Sequence, residues 1–306
     1  MSVNAPKSLV FVHGGYFQPP REELVSIWRD ALRRGIERDY PDQAAAFEAA
    51  NITMAYFGDL TNELLAAQKT EYDEALDIAD RRNALTLLSG ITKRKKFKRY
   101  EYQQLPGKTA VKEALADVGS PVLGKLGLEK PVIEKLAPEL ADYWNPHSDY
   151  GQAARDRLRT LLADTLAGPG EVMIVAHCVG SIFAYDVLWE LSQSHKEQKA
   201  DMLLTLGSPL GNKTIQKKLA GHSEDKKQRY PANILIWNNI AAEDDYVCHD
   251  KTVADDFHGM LKQHLISSIN DYRIYNLAVH YGKSDPHSSL GYLVHPRVAK
   301  LTAEWL

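Results

Sequence analysis

The sequence Val172-Met-Ile-Val-Ala-His-Cys-Val-Gly-Ser181 continues into the helical pattern of Ile182–Trp189. Its apolar half predicts a buried strand, and the small residues Ala176 and Gly180 predict a sharp turn between the strand and the helix. A strand, a turn and a helix in this order place Cys178 at the apex of the turn. Because flanking residues at such an apex must be small, the pattern makes Cys178 the candidate nucleophile.

Two alternatives to this interpretation stay open. Cys178 could be a structural residue, since free cysteine is commonly buried. Ser181 could be the nucleophile, although the first helical turn directs it away from the apex. Ser208 in Gly207-Ser-Pro-Leu-Gly211 could be mistaken for a second nucleophilic serine. Pro209 directly after it argues against a turn that leads into a helix. We predict a strand-to-loop turn there, one that could line a pocket.

Similar apolar runs occur on both sides of this stretch, separated by helical patterns. Strands that alternate with helices form a parallel sheet covered on both faces, so the sequence predicts an α/β fold with a mostly parallel central sheet. The further predicted strands are Ser8–Gly14 (with its terminal loop), Asn51–Phe57, Ala200–Leu206, Asn233–Trp237 and Arg273–Val279, and the clearest helices are Glu22–Arg38 and Gly151–Leu166.

Residues 61–144 differ from the rest of the chain, because they are mostly helical in pattern and lack strand-like runs. A segment of this length inside a compact domain is usually functional or folds on its own. We expect a helical cap inserted over the carboxyl edge of the sheet; the alternative is an ordinary helical subdomain. A basic cluster in this segment could contact an anionic surface or form a solvated helix face. Its members are Lys93, Arg94, Lys95, Lys96, Lys98 and Arg99.

Composition excludes several classes of protein. The chain has 306 residues, a net charge of −3 and only two cysteines, Cys178 and Cys248. A disulfide framework is therefore excluded, no metal-ligand spacing involves either cysteine, and no global charge favours nucleic acid. No signal peptide or membrane-spanning run is expected, so we predict a soluble, cytoplasmic protein without a metal or cofactor.

A nucleophile needs a base and a group that orients the base. His287 is the candidate base, because it lies in the polar loop Ser284–Tyr292 that follows the predicted last strand. Asp245, in the loop after the strand that ends at Trp237, is the candidate orienting carboxylate. His280 and His295 remain alternatives for the base, and Asp244 and Asp250 for the carboxylate.

The sequence also offers donors for a developing oxyanion. His13-Gly-Gly-Tyr16 ends the first predicted strand, and its glycines let the backbone approach a ligand closely. Together with the amide of Val179, which directly follows the candidate nucleophile, the amides of Gly15 and Tyr16 are the candidate oxyanion donors.

These motifs resemble the α/β-hydrolase superfamily. Ala-His-Cys-Val-Gly-Ser181 is similar to the Gly-His-Ser-Leu-Gly-Ser elbow of its lipase-like and esterase-like members. The chain order Cys178, Asp245, His287 also matches the order of nucleophile, acid and base in that superfamily. Cysteine stands in the place of the usual serine, and Ala176 in the place of the first glycine. The resemblance implies a hydrolase-type core formed by residues 1–60 and 145–306, with residues 61–144 as the cap.

The resemblance further implies an acyl hydrolase that acts on a small-molecule or lipid-like carboxylic ester or thioester through a covalent acyl-enzyme. An acyltransferase is a close alternative. A second alternative is a hydrolase-fold protein of impaired or no activity, used for binding or regulation, because sulfur in place of oxygen shifts the geometry of attack, and a misplacement of ~1 Å can cost about 100-fold in rate.

Overall fold

The computed structural model describes residues 6–91, 97–107, 139–245, 247–248 and 250–306. Its centre is a sheet of six strands in the order β2-β1-β3-β4-β5-β6, in which every neighbouring pair is parallel. These strands are β1 (Lys7–Val12), β2 (Asn51–Ala55), β3 (Glu171–His177), β4 (Ala200–Leu206), β5 (Ile234–Ala242) and β6 (Ser268–Ile274). The predicted α/β fold with a parallel central sheet is thus confirmed.

Helices cover both faces of the sheet, as the side-chain alternation of its strands requires. Leu9 and Phe11 of β1 belong to one apolar cluster, whereas Val10 and Val12 of the same strand belong to the other. The described helices are α1 (Arg21–Asp39), α2 (Ala44–Ala49), α3 (Gly58–Ala67), α4 (Glu74–Ser89), α5 (Arg99–Gln103), α6 (Glu139–Tyr143), α7 (Asp149–Ala167), α8 (Gly180–Ser194), α9 (Lys213–Gln216), α10 (His258–Lys262), α11 (Ser289–Leu293) and α12 (Pro296–Trp305).

Strand β5 extends well beyond its predicted end at Trp237. The prediction stopped there because Asn238 and Asn239 are polar, yet both are buried in the sheet. The Asn239 side chain accepts from the Thr205 hydroxyl at 2.9 Å and donates to Asp271 Oδ1 at 2.9 Å. Because such hydrogen bonds satisfy buried polar groups, the strand can continue through these residues. It then leads into the loop that carries the candidate acid.

The last strand of the central sheet lies earlier than predicted. The expected strand Arg273–Val279 is wrong in position, because β6 covers Ser268–Ile274 and residues 275–278 form no strand. Since β6 is an edge strand with one neighbour, it tolerates a polar sequence that the search for apolar runs missed. A small antiparallel hairpin follows, formed by β7 (Val279–His280) and β8 (Lys283–Ser284).

The described parts of the predicted cap contact the loops at the carboxyl ends of the strands. Tyr102 of α5 donates to Asp244 Oδ2 at 2.9 Å, in the loop after β5. Helix α3 already begins at Gly58, ahead of the expected boundary. Of the basic cluster, Lys93–Lys96 lie outside the described residues, while Lys98 and Arg99 are exposed. No helix in the described ranges combines the length and apolar character needed to span a membrane.

Candidate active site

Cys178 lies at the apex of a tight turn between β3 and α8. Its backbone has φ of 53°, in the left-handed region that residues other than glycine rarely adopt, and its amide donates to Leu206 O at 3.0 Å. An ideal Cβ on Gly180 would lie 2.2 Å from His13 O, so only glycine fits there. The turn therefore holds Cys178 in a strained conformation at the carboxyl edge of the sheet.

Ser181, the alternative nucleophile, forms hydrogen bonds that stabilise this turn. Its hydroxyl donates to Cys178 O at 2.5 Å and lies 2.7 Å from the Ser208 hydroxyl. Ser208 accepts from the amide of Leu210 at 3.2 Å and caps a short 3-10 turn, Pro209–Gly211. Both serine side chains are buried and hydrogen-bonded within the scaffold, so Cys178 remains the candidate nucleophile of the turn.

The structure brings His287 and Asp245 together with Cys178. His287 Nδ1 lies 3.0 Å from both carboxylate oxygens of Asp245 and donates to them. The ring also forms a side-chain hydrogen bond with Cys178, for which Nε2 is the remaining ring nitrogen. The chain thus forms a continuous carboxylate–imidazole–thiol series from loops after three different strands.

The carboxylate of Asp245 is buried and fully engaged. Besides His287, it accepts from the Tyr292 hydroxyl at 2.6 Å and from the amide of Val247 at 3.1 Å. Burial alone would raise the pKa of Asp245, but the charge of His287 and the hydrogen bonds from His287 and Tyr292 outweigh it and lower the pKa below its ordinary value. Asp245 is therefore an anion at neutral pH.

This anion controls the charge of His287. Burial by itself would lower the pKa of His287, but the negative charge of Asp245, together with Cys178, raises it well above the ordinary value. The arrangement therefore favours an imidazolium ring beside the sulfur of Cys178.

Sequence reasoning missed the contribution of His177, the residue before Cys178. Its Nε2 donates to the backbone carbonyl of His287 at 2.8 Å, and the two rings lie with centroids 4.7 Å apart. Burial, followed by the nearby charge of His287, lowers the pKa of His177 to about 3. Its position beside Cys178 was the only available signal, because the contact joins residues 110 positions apart.

The alternative candidates for the base and for the carboxylate have other hydrogen-bond partners. His280 pairs with Asp80 on α4, and His295 caps α12 by accepting from the amide of Arg297 at 3.0 Å. Asp244 is bonded to Tyr102. Asp250 accepts from the hydroxyl of Thr252 at 3.0 Å. The alternatives are thereby bound within the scaffold, while His287 and Asp245 are joined to each other.

The loop His13–Tyr16 lies against the same turn. An ideal Cβ on Gly14 would lie 2.9 Å from Cys178 Cβ, which shows how closely the loop packs against this residue. Val179 is the N-cap of α8, where amides have no intrahelical acceptor. Tyr16 also adopts a positive φ of 62°. The candidate oxyanion donors are therefore backbone amides of the two segments that flank Cys178.

One further side chain reaches this loop. Glu139 of α6 is fully buried, and its Oε1 lies 1.4 Å from the position that a Cβ on Gly15 would occupy. The sequence pattern gave no signal for it, because it lies within the insertion. Among the residues with defined positions, no cluster of His, Cys, Asp or Glu could hold a metal ion.

Comparisons with family models, with curated proteins and with solved structures gave no match.

Proposed function

We propose that this protein is an α/β-hydrolase-type acyl hydrolase that cleaves a carboxylic ester or thioester through a Cys178 acyl-enzyme. The observation that carries the proposal is the hydrogen-bonded series Asp245–His287–Cys178, with the thiol on a left-handed turn between a strand and a helix. The chain order of the three residues is that of α/β-hydrolases.

In the acylation step, the Cys178 thiolate attacks the substrate carbonyl carbon. A sulfur–carbon bond forms, and the carbonyl π electrons move to the oxygen, which becomes an oxyanion. As the carbonyl re-forms, the bond to the leaving group breaks, and the His287 imidazolium gives its proton to the departing alkoxide or thiolate. The products are an alcohol or thiol and a thioester on Cys178.

In the deacylation step, neutral His287 takes a proton from water as the water oxygen attacks the thioester carbonyl. The second tetrahedral intermediate collapses with loss of the Cys178 thiolate, which leaves a free carboxylic acid and returns the imidazolium–thiolate pair. Asp245 stays ionised throughout and holds the imidazole in the tautomer whose Nδ1 carries a proton.

Backbone amides of Gly15, Tyr16 and Val179 would hold the oxyanion in both steps. The loss of one such donor typically costs on the order of 100-fold in rate. The described parts of the insertion contact the loops around the site, so we propose that the insertion shapes substrate access.

The test is acylation by activated esters. The protein is incubated with p-nitrophenyl acetate, quenched in acid and analysed by intact mass and peptide mapping. We expect an acetyl adduct on Cys178, none in Cys178→Ala, and an unchanged adduct in Cys248→Ala, which removes the only other cysteine. Ester cleavage that survives complete iodoacetamide labelling of Cys178 would overturn the proposal.

A further inference from the structure

Glu139 is a buried carboxyl that contacts the candidate oxyanion loop. It is 0% exposed, and within the described ranges its carboxyl oxygens are approached by the amides of Glu139 and Tyr16 but make no hydrogen bond of full geometry. Its Oε1 occupies the space where Gly15 lacks a side chain. A buried carboxyl without such a hydrogen bond is costly, so its position beside the candidate site points to a ligand that completes its hydrogen bonds.

The helix that bears Glu139 is firmly anchored, so the carboxyl is held at this loop. The ring of Tyr143 stacks on Phe183 of α8 with centroids 3.9 Å apart, and its hydroxyl donates to Asp186 Oδ2 at 2.9 Å. Arg155 of α7 donates to Tyr143 O at 3.3 Å. The charged side chains of Asp186 and Arg155 thus contact Tyr143 at the carboxyl end of α6, whereas Glu139 lies at its amino end.

Among the residues that the structure describes, two phenols interact electrostatically with Glu139. Tyr16 and Tyr150 both interact with it electrostatically, and Tyr16 interacts with Cys178 as well. Burial raises the pKa of both phenols, that of Tyr16 to about 12, so each phenol is uncharged at neutral pH. Tyr16 therefore lies within electrostatic reach of both the buried carboxyl and the thiol.

The charge state of Glu139 decides what it can do for an oxyanion. An ionised carboxylate beside the loop would repel the developing negative charge and compete for the amide of Tyr16. A protonated carboxyl instead donates an O–H hydrogen bond, and apolar burial is the usual way to keep a carboxylic acid neutral for this purpose. Burial raises the pKa of Glu139 to about 7, against the smaller lowering effect of the amides of Glu139 and Tyr16.

We propose that protonated Glu139 is a catalytic hydrogen-bond donor that stabilises the oxyanion together with the amides of Gly15, Tyr16 and Val179. This inference rests on the proposed acyl-transfer function. It assigns a catalytic task to a residue of the insertion. The carboxyl keeps its proton through the reaction and only strengthens its hydrogen bond as negative charge develops on the substrate oxygen.

The experiment compares two reactions of the same thiol. Acylation by p-nitrophenyl acetate passes through an oxyanion, whereas alkylation by iodoacetamide does not, so the ratio of their rate constants isolates oxyanion stabilisation from thiolate formation. With a pKa of about 7, the neutral fraction of Glu139 falls about tenfold between about pH 6 and about pH 8. The ratio should fall about tenfold over the same interval in the native chain.

Two variants complete the test. Glu139→Gln keeps a neutral donor of similar shape, so its ratio at about pH 6 should stay within about threefold of native and no longer change with pH. Glu139→Ala removes the donor and should lower the ratio on the order of 100-fold at about pH 6. Circular dichroism and thermal melts check that both variants fold.

The proposal is overturned if both variants raise the ratio at about pH 8 and leave it unchanged at about pH 6, since the carboxyl would then only obstruct the site. It is also overturned if neither variant changes the ratio. In both cases Cys178 would still form its acyl adduct, which separates this failure from a failure of the proposed function.

Discussion

The turn that carries Cys178 and the loop that carries His287 each contribute an imidazole, and the two have opposite charge preferences. The His177 ring is buried and the His287 ring is partly exposed, and their planes are tilted by 35°. Burial lowers the pKa of His177 in the turn to about 3. Desolvation also acts to lower the pKa of His287 in the loop, yet that pKa is raised well above the ordinary value. The difference lies in the partners: His177 donates to a backbone carbonyl, and His287 donates to the Asp245 carboxylate.

Burial therefore does not by itself decide the charge of a histidine. One carboxylate can support one imidazolium, and a second positive charge with its centroid only 4.7 Å away would be repelled. A neutral His177 is therefore a condition for a charged His287, while its hydrogen bond to the His287 carbonyl fixes the position of the loop. The first ring acts as scaffold and the second as the proton carrier of the proposed reaction.

The change with the largest expected effect is Asp245→Asn, which removes the difference between the two rings by making both neutral. The acylation rate should fall by on the order of 10³–10⁴-fold, because the imidazole loses both its charge and its tautomer. Stopped-flow release of p-nitrophenol measures it. Asp244→Asn is the matched control, because that carboxylate is bonded to Tyr102, and its rate should stay within about twofold of native. Equal losses in both variants would contradict the account.

The next largest effect is expected from His177→Phe, which keeps a ring in the turn but removes the donor to the His287 carbonyl. A small displacement of His287 should lower the acylation rate by about tenfold, since 1 Å of misplacement can cost ~100-fold. His177→Gln restores a donor and should recover part of the rate at an unchanged pH optimum. A Phe variant as fast as native would show that His177 has no positioning role.

Tyr292→Phe should have a smaller effect on rate, about threefold to tenfold, because Asp245 keeps its contacts with His287 and Val247. The loss of the 2.6 Å bond from the hydroxyl should raise the pKa of Asp245 toward its ordinary value. The amide of Ala242 also loses its acceptor, so the free energy of unfolding should drop by ~1–3 kcal/mol. Urea denaturation measures this drop, and an unchanged midpoint would be inconsistent with the network.

The two rings should also affect stability in opposite pH ranges. The pKa of His177 is depressed in the folded state, so its neutral form stabilises fully above the unfolded value of about 6.5. That stability is lost as the pH falls toward about 3, by ~1.4 kcal/mol per pH unit for each proton. The raised pKa of His287 gives stability that is complete below about pH 6.5 and is lost as the pH rises through the folded value.

Denaturation of His177→Gln and His287→Gln as a function of pH checks this difference. The first variant should flatten the acidic side of the stability curve, and the second should flatten the neutral to alkaline side. Flattening on the same side in both would mean that the two imidazoles do not differ as described.

The sequence predicted the parts of this molecule that local pattern controls. Apolar runs located strands β1 to β4 to within about two residues, and small residues around Cys178 indicated the turn. The same rule failed at β5, where Asn238 and Asn239 continue a buried strand, and at the polar edge strand β6. A rule based on apolar runs cannot detect polar side chains whose partners are on neighbouring strands.

The candidate site divides in the same way. Motifs and chain order singled out Cys178, Asp245 and His287, and the structure joins them. The contacts around these three residues could not be predicted from the sequence, because each contact links residues that are distant in the chain. These contacts join His177 to His287, Tyr292 to Asp245, and Glu139 to Gly15. Only the folded chain shows which polar side chains share a buried space.

The most direct measurement of the central claim is the pH profile of Cys178 alkylation by iodoacetamide, with peptide mapping and with buried Cys248 as internal reference. If His287 forms an imidazolium–thiolate pair with Cys178, the native chain reacts rapidly already at about pH 6. In His287→Gln, the reaction should then rise only toward the ordinary thiol range near pH ~8.5. Superimposable profiles in the two proteins would contradict the account.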